Sequence, residues 1–316
     1  MKATCLLAAC LLAAGMTAGC ANDQNARIIV ERDTGAGKIA ESMAGTADQL
    51  VKTGKIDLQR TCRMADGVEI DVWAMKAKDP AGQKPLASPL GTVVVLHRQD
   101  ESKASWPFFG TGQRLARMGY DVVLPDLRAH GRSTGKYVTY GAKEKTDVKA
   151  IIDSLLADKQ VHEPIYAMGV GLGAATAIQY AAIDARCKGV MAVTPFKDFR
   201  SFARRELVMQ SESDFDKSLA KAGELAGFDP KEASCVEAAA KLTVPLLIVH
   251  GMIDLSVPAE QSQDIYQVAG GPKKLVLVTP GPEQFALYAV MEDWMAGRMN
   301  MVATGGLNKE PASQPR

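Results

Sequence analysis

The residues best suited to chemistry in this chain are scattered, and few stand near a partner. Ile165-Tyr-Ala-Met-Gly-Val-Gly-Leu-Gly-Ala-Ala-Thr-Ala-Ile-Gln-Tyr180 reads as a buried strand, a sharp turn at Gly169, Gly171 and Gly173, and a helix of small residues packed close behind it. The N-terminus of such a helix offers backbone N–H groups to a developing negative charge. Acyl transfer at that point would also need a nucleophile, a base and an acid. Asp254 can serve as a carboxylate, while Ser133, Ser256 and Cys187 carry hydroxyls or a thiol in loops or beside a strand. The four histidines stand at 97, 130, 162 and 250, and none is recognisably placed beside those nucleophiles. Turn-forming or packing roles account for each of them, and Asp254 has the ordinary role of capping its own loop through backbone N–H bonds.

The elements that must position these residues alternate regularly. Gln59 to Met64, the turn Ala65-Asp66-Gly67, and Val68 to Met75 predict an antiparallel hairpin, because Asp-Gly supplies the positive φ of a tight turn. Thr92 to His97 is a β-branched run of the kind buried on both faces of a sheet. Strands follow at Asp121–Leu124, Ile165–Gly169, Lys188–Val193, Pro245–His250 and Lys273–Val278. Helices are expected at Trp106–Met118, Gly141–Ala157, Gly173–Ala182, Ala259–Ala269 and Gln284–Asn300. This alternation predicts an α/β fold, with an eight-stranded, mostly parallel sheet covered by helices on both faces.

Three motifs give the pattern a family likeness. The glycine turn resembles the G-x-S-x-G nucleophile elbow of the α/β-hydrolase superfamily. Leu124-Pro-Asp-Leu-Arg-Ala-His-Gly-Arg-Ser-Thr-Gly135 is similar to that superfamily's D-x-R-G-H-G-x-S loop, and His250-Gly-Met-Ile-Asp-Leu-Ser-Val-Pro258 to its H-G-x-x-D-x-x-V-P segment. The likeness is greatest to the serine-aminopeptidase and esterase branch, and it spans nearly the whole chain after the leader. It implies a triad in the order nucleophile, acid, histidine, with the acid after the penultimate strand and the histidine after the last. Asp254 matches the acid, but Gly171 occupies the nucleophile's position. Gln284, or Glu283 beside it, falls where the histidine belongs, and no histidine follows Asp254. The oxyanion region departs as well, since His97 is followed by Arg98 in place of glycine. Arg98 either fills the site, binds an anion or is a surface side chain, while the backbone donor at Leu172 is retained. The resemblance assigns His130 to the architecture of its loop.

Between Pro195 and Leu242, with a lid expected at about 196–242, lie five of the chain's eight phenylalanines, at 196, 199, 202, 215 and 228. They read either as the apolar underside of a lid over a pocket or as anchors holding the lid to the sheet.

Residues 1–19 read as a signal peptide: Met1-Lys2, an apolar run from Leu6 to Ala14 too short to span a bilayer, then small residues up to Cys20. Thr17-Ala-Gly-Cys20 resembles a bacterial lipoprotein signal, which implies cleavage before Cys20 and acylation of its thiol, and an exported protein of the cell envelope. Residues 20–58 then read as a lipid-anchored tether, with one amphipathic helix at Lys38–Val51 presenting Ile39, Met43, Ala47, Leu50 and Val51 on a single face. As a flexible coil of about forty residues it would reach about 35 Å. The hydrolase-fold domain is set at 59–302, with a flexible tail at 303–316.

With a net charge of +1 spread along the chain, the footprint of a nucleic-acid binder is missing. No cysteine pair has zinc spacing and no motif calls for a cofactor or metal. After the leader, Cys62, Cys187 and Cys235 allow at most one disulfide. The sequence therefore points to an α/β-hydrolase-fold envelope protein that binds a small apolar ligand or a protein partner without conventional Ser-His-Asp hydrolysis. The alternatives are an esterase or peptidase working through a rearranged or residual site, and a structural envelope protein with no ligand.

Overall fold

The computed structural model describes residues 21–31, 35–79, 81–82, 84–207, 210–278 and Trp294. Eight strands form one sheet: β1 Leu58–Arg63, β2 Glu69–Met75, β3 Thr92–Leu96, β4 Asp121–Pro125, β5 Ile165–Val170, β6 Cys187–Val193, β7 Leu246–Gly251 and β8 Lys273–Val278. Their order across the sheet is β1-β2-β4-β3-β5-β6-β7-β8. β1 and β2 run antiparallel to their neighbours and the other six are parallel to one another. The hairpin between β1 and β2 closes where Asp-Gly was expected to close it, with Gly67 at φ +83°.

Period-two alternation divides the sheet's side chains between two cores. Val94, Leu96, Ala167, Val190 and Ala192 face one layer. Val93, Val95, Met168, Met191, Val193 and Val249 face the other. The first layer is covered by α5 Glu144–Ala157, α6 Leu172–Ala181, α9 Cys235–Ala240 and α10 Ala259–Val268. The second is covered by α4 Trp106–Arg117 and by Trp294, whose ring meets Tyr166 edge-on at 6.3 Å. Trp294 is the described residue of the predicted Gln284–Asn300 helix, and the rest of that helix, with Gln284 and Glu283, lies outside the described residues.

The N-terminal segment corrects the tether reading. Residues 21–30 form a helix, α1, whose Ala26, Ile29 and Val30 are fully buried in the first core. Arg27 bridges Asp23 at 2.8 Å and Glu31 at 2.6 Å along its surface. Val30 O accepts a bond from Val138 N at 2.9 Å, the Tyr140 hydroxyl donates to Ile29 O, and Glu31 pairs with Lys136 at 3.0 Å. A chain held by that much buried apolar surface is part of the domain, so the sequence-based boundary at 58 falls too late.

The single helix expected over 38–51 is two helices, α2 Gly35–Ala44 and α3 Ala47–Lys52. Gly45 breaks the chain at φ +97°, and Thr46 restarts it through a capping box with Gln49. The break changes direction, so the expected shared face does not form: Ala47 and Leu50 are buried, whereas Ile39, Met43 and Val51 are exposed.

The insertion after β6 contains α7 Phe199–Glu206 and α8 Glu212–Ala226, then a short turn and α9. Its rings settle the two readings of the phenylalanines in favour of anchoring. Tyr140 packs against Phe196 at 5.9 Å, Phe199 at 4.8 Å and Phe202 at 4.8 Å, and Phe199 packs against Phe228 at 5.4 Å. Such pairs contribute about 0.5–1.5 kcal/mol each beyond area burial. α9 lies between α6 and α10 against the sheet, with Cys235 Sγ 3.7 Å from Ala175 O. The stretch over residues 235–240 is therefore sheet cover and not lid.

Candidate functional site: an elbow without a side chain

The sharp turn from β5 to α6 is built by three glycines with different duties. A Cβ on Gly169 would lie 2.3 Å from the Gly173 carbonyl carbon, and a Cβ on Gly173 would lie 2.2 Å from Leu96 O and 2.7 Å from His97 O. Strand, helix and the neighbouring β3 thus approach so closely that only hydrogen fits at 169 and 173. Gly171, at the N-cap of α6, has φ +54° and ψ −111°, a strained backbone that thrusts the residue out of the turn. A Cβ there would meet only the Arg98 side chain, Cγ at 3.2 Å and Cδ at 3.8 Å. The turn has the shape that presents a nucleophile, and position 171 presents hydrogen.

Arg98 reaches this point from the end of β3. Its stem lies across the face of Gly171, while its guanidinium stays largely in solvent and pairs with Glu101 at 2.7 Å. Two of the three open readings of Arg98 hold in part: the stem occupies the site and the head is a surface group, paired with Glu101. Leu172 begins α6 and is buried at its side chain. Its N–H, first in the helix, has no partner within it. The turn is tied to the sheet by Gly171 N bonding Val193 O at 2.9 Å, and β6 is tied in turn to β7 by Thr194 N bonding Val249 O at 2.8 Å.

Asp254 stands in the loop after β7. Its Oδ1 accepts from Ser256 N at 2.6 Å and from Val257 N at 2.8 Å, which is the loop-capping role open to it from sequence. Its Oδ2 lies 3.9 Å from His250 Nε2. His250 does not act as a base there. It is fully buried, with Nδ1 2.6 Å from the Ser262 hydroxyl and Nε2 2.7 Å from Val257 O, so both ring nitrogens are occupied.

The other histidines are structural. His97 Nδ1 donates to Arg98 O at 2.7 Å and Nε2 accepts from Leu127 N at 2.9 Å, which defines a neutral ring. Burial, reinforced by His130 nearby, pushes its pKa down to about 3. The His130 ring is 5.0 Å from that of His97. His130 Nδ1 donates to Arg128 O at 2.9 Å, and burial lowers its pKa also. His162 pairs with Asp121 at 2.7 Å at the opposite end of the sheet. Ser133 donates to Asp126 O at 2.7 Å and accepts from Asp71 N at 2.9 Å, fixing the loop. Cys62, Cys187 and Cys235 are all buried free thiols, so the disulfide allowed by their number does not form. Burial pushes the Cys187 thiol up to about 12, and at neutral pH it is protonated and poorly nucleophilic. Among the described residues no group of three His, Cys, Asp or Glu could hold a metal ion.

One constellation gave no sequence signal. Lys103 is completely buried between two carboxylates, with Nζ 2.8 Å from Asp71 Oδ1 and in contact with Asp126 Oδ2, and it sits 4.7 Å from the Trp73 ring centroid. Its backbone N–H also bonds Asp126 Oδ1 at 2.9 Å. Burial would raise the Asp126 pKa, but the Lys103 ammonium outweighs that and holds it below the usual carboxylate range. This knot ties the segment after β3 to the loop after β4. It is closed to solvent.

The strand order, the two layers of helices and the β5–elbow–α6 turn define an α/β-hydrolase fold. A family model for serine aminopeptidase, S33, matches residues 87–213, which run from before β3 into the start of α8. The uncharacterized protein YqkD of Bacillus subtilis (strain 168) is 29% identical over 178 residues, 52% of this chain and 56% of that protein, so the chain spans about half the length of that relative. Among solved structures, the Pyrococcus furiosus esterase Pf2001 superposes with a TM-score of 0.58 at 22% identity, over 78% of this chain and 93% of that one. Est1E of Butyrivibrio proteoclasticus, solved with ferulic acid bound, superposes with a TM-score of 0.59 at 18% identity, over 74% and 97%. At these identities the structural likeness shows the fold alone.

Proposed function

We propose that this chain is an exported, lipid-anchored α/β-hydrolase-fold protein that has given up Ser-His-Asp hydrolysis and acts at the cell envelope by binding a small apolar ligand or a protein partner. The observation that carries this reading is the elbow. Its strained backbone is retained at Gly171 with no side chain to attack, the Arg98 stem lies over it, and no histidine follows Asp254 to serve as a base. The remaining acid is satisfied by its own loop. Triad members act as a unit, so losing two of them removes the advantage of the third. On this reading Leu172 N–H, first in α6, is the remaining oxyanion donor, and backbone donors of that kind alone leave about 10³–10⁴-fold over water in well-studied proteases. That is the ceiling for residual turnover. The export and anchor part of the proposal is supported by the Leu6–Ala14 run and the Thr17–Cys20 segment.

The test is intact-mass analysis of the folded full-length chain after exposure to a fluorophosphonate serine-hydrolase probe. Unmodified mass is expected. A single adduct, mapped to Ser133, Ser256 or another serine, would overturn the binding reading in favour of an esterase or peptidase with a relocated nucleophile.

A further inference from the structure

We propose that α1 is a strap that closes the insertion after β6 onto the body, and that release of α1 is the step that frees α7 and α8 from the carboxyl end of the sheet. The insertion divides into two parts. α9 packs on α6 and α10 and is fixed with the sheet, whereas α7 and α8 pack on each other and on the 3₁₀ turn Pro230–Glu232. One face of α8 is nonetheless buried through Phe215, Leu219 and Ala222, and Ala26, Ile29 and Val30 of α1 lie in the same core. An amphipathic helix draws its stability from whatever covers that face.

The strap is pinned at both ends, and to different parts of the molecule. At its start Asn22 Oδ1 accepts from Ser218 Oγ of α8 at 3.4 Å. At its end Val30 O accepts from Val138 N at 2.9 Å, and Glu31 pairs with Lys136 at 3.0 Å, both in the segment that leads into α5. A helix over residues 21–30 is about 15 Å long. It therefore spans from the insertion to the body.

Its middle touches the joint that anchors α7. The Tyr140 hydroxyl donates to Ile29 O, while the Tyr140 ring packs on Phe199 and Phe202 of α7. Tyr140 is held at φ +56°, a conformation that persists only while its surroundings enforce it. Release of α1 takes an acceptor away from a buried hydroxyl at the point where α7 is fixed. From there the effect reaches the elbow's surroundings, because Arg205 in the last turn of α7 donates to Leu255 O, in the loop that carries Asp254. That loop and the elbow both follow the carboxyl ends of parallel strands, so α7 borders the end of the sheet where Gly171 stands. That the opening admits a ligand rests on the binding reading above; the strap itself does not.

Hydrogen exchange of the full-length chain, read peptide by peptide by mass spectrometry, tests this. In the wild type α1 and α8 should open as one unit, with protection equal within about threefold and below that of β3 and β5. Ile29→Val should speed exchange in both helices by the same factor, about two- to tenfold, which is what one buried methylene is worth. Lys136→Glu faces Glu31 with a like charge and leaves the core intact. It should speed both helices by about two- to fivefold at low salt and by less in about 1 M salt. Faster exchange in α1 with α8 unmoved would show that α8 stands without it and overturns the strap. Wild-type helices as protected as β3 and β5 would make α1 ordinary core and overturn it equally. A fluorophosphonate adduct would sink the binding reading and leave these rates, and the strap, as they are.

Discussion

Replacing Gly171 and Gly173 separately by alanine tests the elbow, because the two positions look alike in sequence and differ in what surrounds them. At Gly171 the new methyl meets only Arg98 Cγ, 3.2 Å away. That stem is flexible and half in solvent, so it moves a few tenths of an ångström at little cost. What remains is backbone strain, since φ is +54°, and holding an L-residue in so sparsely populated a conformation costs about 1–3 kcal/mol. At Gly173 the methyl would lie 2.2 Å from Leu96 O and 2.6 Å from Leu96 C. Neither atom belongs to a side chain, so β3 and α6 must separate, and the cost falls at or beyond the upper end of about 1–3 kcal/mol typical of overpacking. Thermal unfolding followed by circular dichroism reads both. At about 3 °C per kcal/mol for a domain of this size, Gly171→Ala should lower Tm by about 3–9 °C. Gly173→Ala should lower it by more than about 10 °C or yield no folded protein. Adding Arg98→Ala should change the Gly171→Ala result by no more than about 1 °C. An unchanged Tm in Gly171→Ala would mean that position 171 is not held at positive φ. A loss equal to that of Gly173→Ala would mean that backbone, and not the Arg98 stem, faces it. Either result refutes the elbow as described.

The remaining predictions follow from charge and chemistry. His97, held neutral with its pKa pushed to about 3, binds no proton in the folded state between pH 6.5 and 3, whereas the unfolded chain does, so its contribution to stability falls as pH drops through that window. Asp147, whose carboxyl burial lifts to about 6 despite its pairing with Arg128 at 2.7 Å, acts in the opposite sense and gains stability as pH falls from 6 to 4. Urea unfolding across pH 4–6.5 should therefore show His97→Gln losing less stability than wild type as pH falls to 4, and Asp147→Asn losing more than wild type. Lys103→Met leaves Asp71 and Asp126 buried without their cation and should cost about 3–5 kcal/mol in the same assay. Adding Asp126→Asn should restore part of it. Gly171→Ser with Gln284→His should raise p-nitrophenyl ester hydrolysis above the parent, and Gly171→Ser alone should change it little. A folded double variant with no gain would refute the assignment of Gln284 to the histidine position.

Much of the fold was legible. The β-branched run at Thr92–Leu96, the Asp-Gly hairpin and the strand–glycine–helix turn each carry a local signal strong enough to survive tertiary packing, and strand bounds moved by only a residue or two. The N-terminal helix was also written in the sequence, in the i, i+3, i+4 spacing of Ala26, Ile29 and Val30 and the i, i+4 charges of Asp23, Arg27 and Glu31. A polar composition nearby masked it. The split between α2 and α3 was signalled by Gly45 and the Thr46–Gln49 capping pair. No pattern announced Lys103, because a lone lysine is ordinarily a solvated one, and its partners lie 32 and 23 positions away in the chain.

By itself the sequence determined what cannot happen at the elbow. Residue type is a covalent fact, and neither a nucleophile at 171 nor a histidine after Asp254 can be supplied by folding. Only the tertiary structure decided which of three similar glycines is there for packing and which for conformation, because that depends on how near Leu96 and Arg98 come from a strand some seventy residues earlier. It also decided that the segment over residues 21–30 is docked. The buried face of α1 has no partner within its own segment, and burial becomes favourable only once the Val138–Tyr140 loop and the insertion are in place around it.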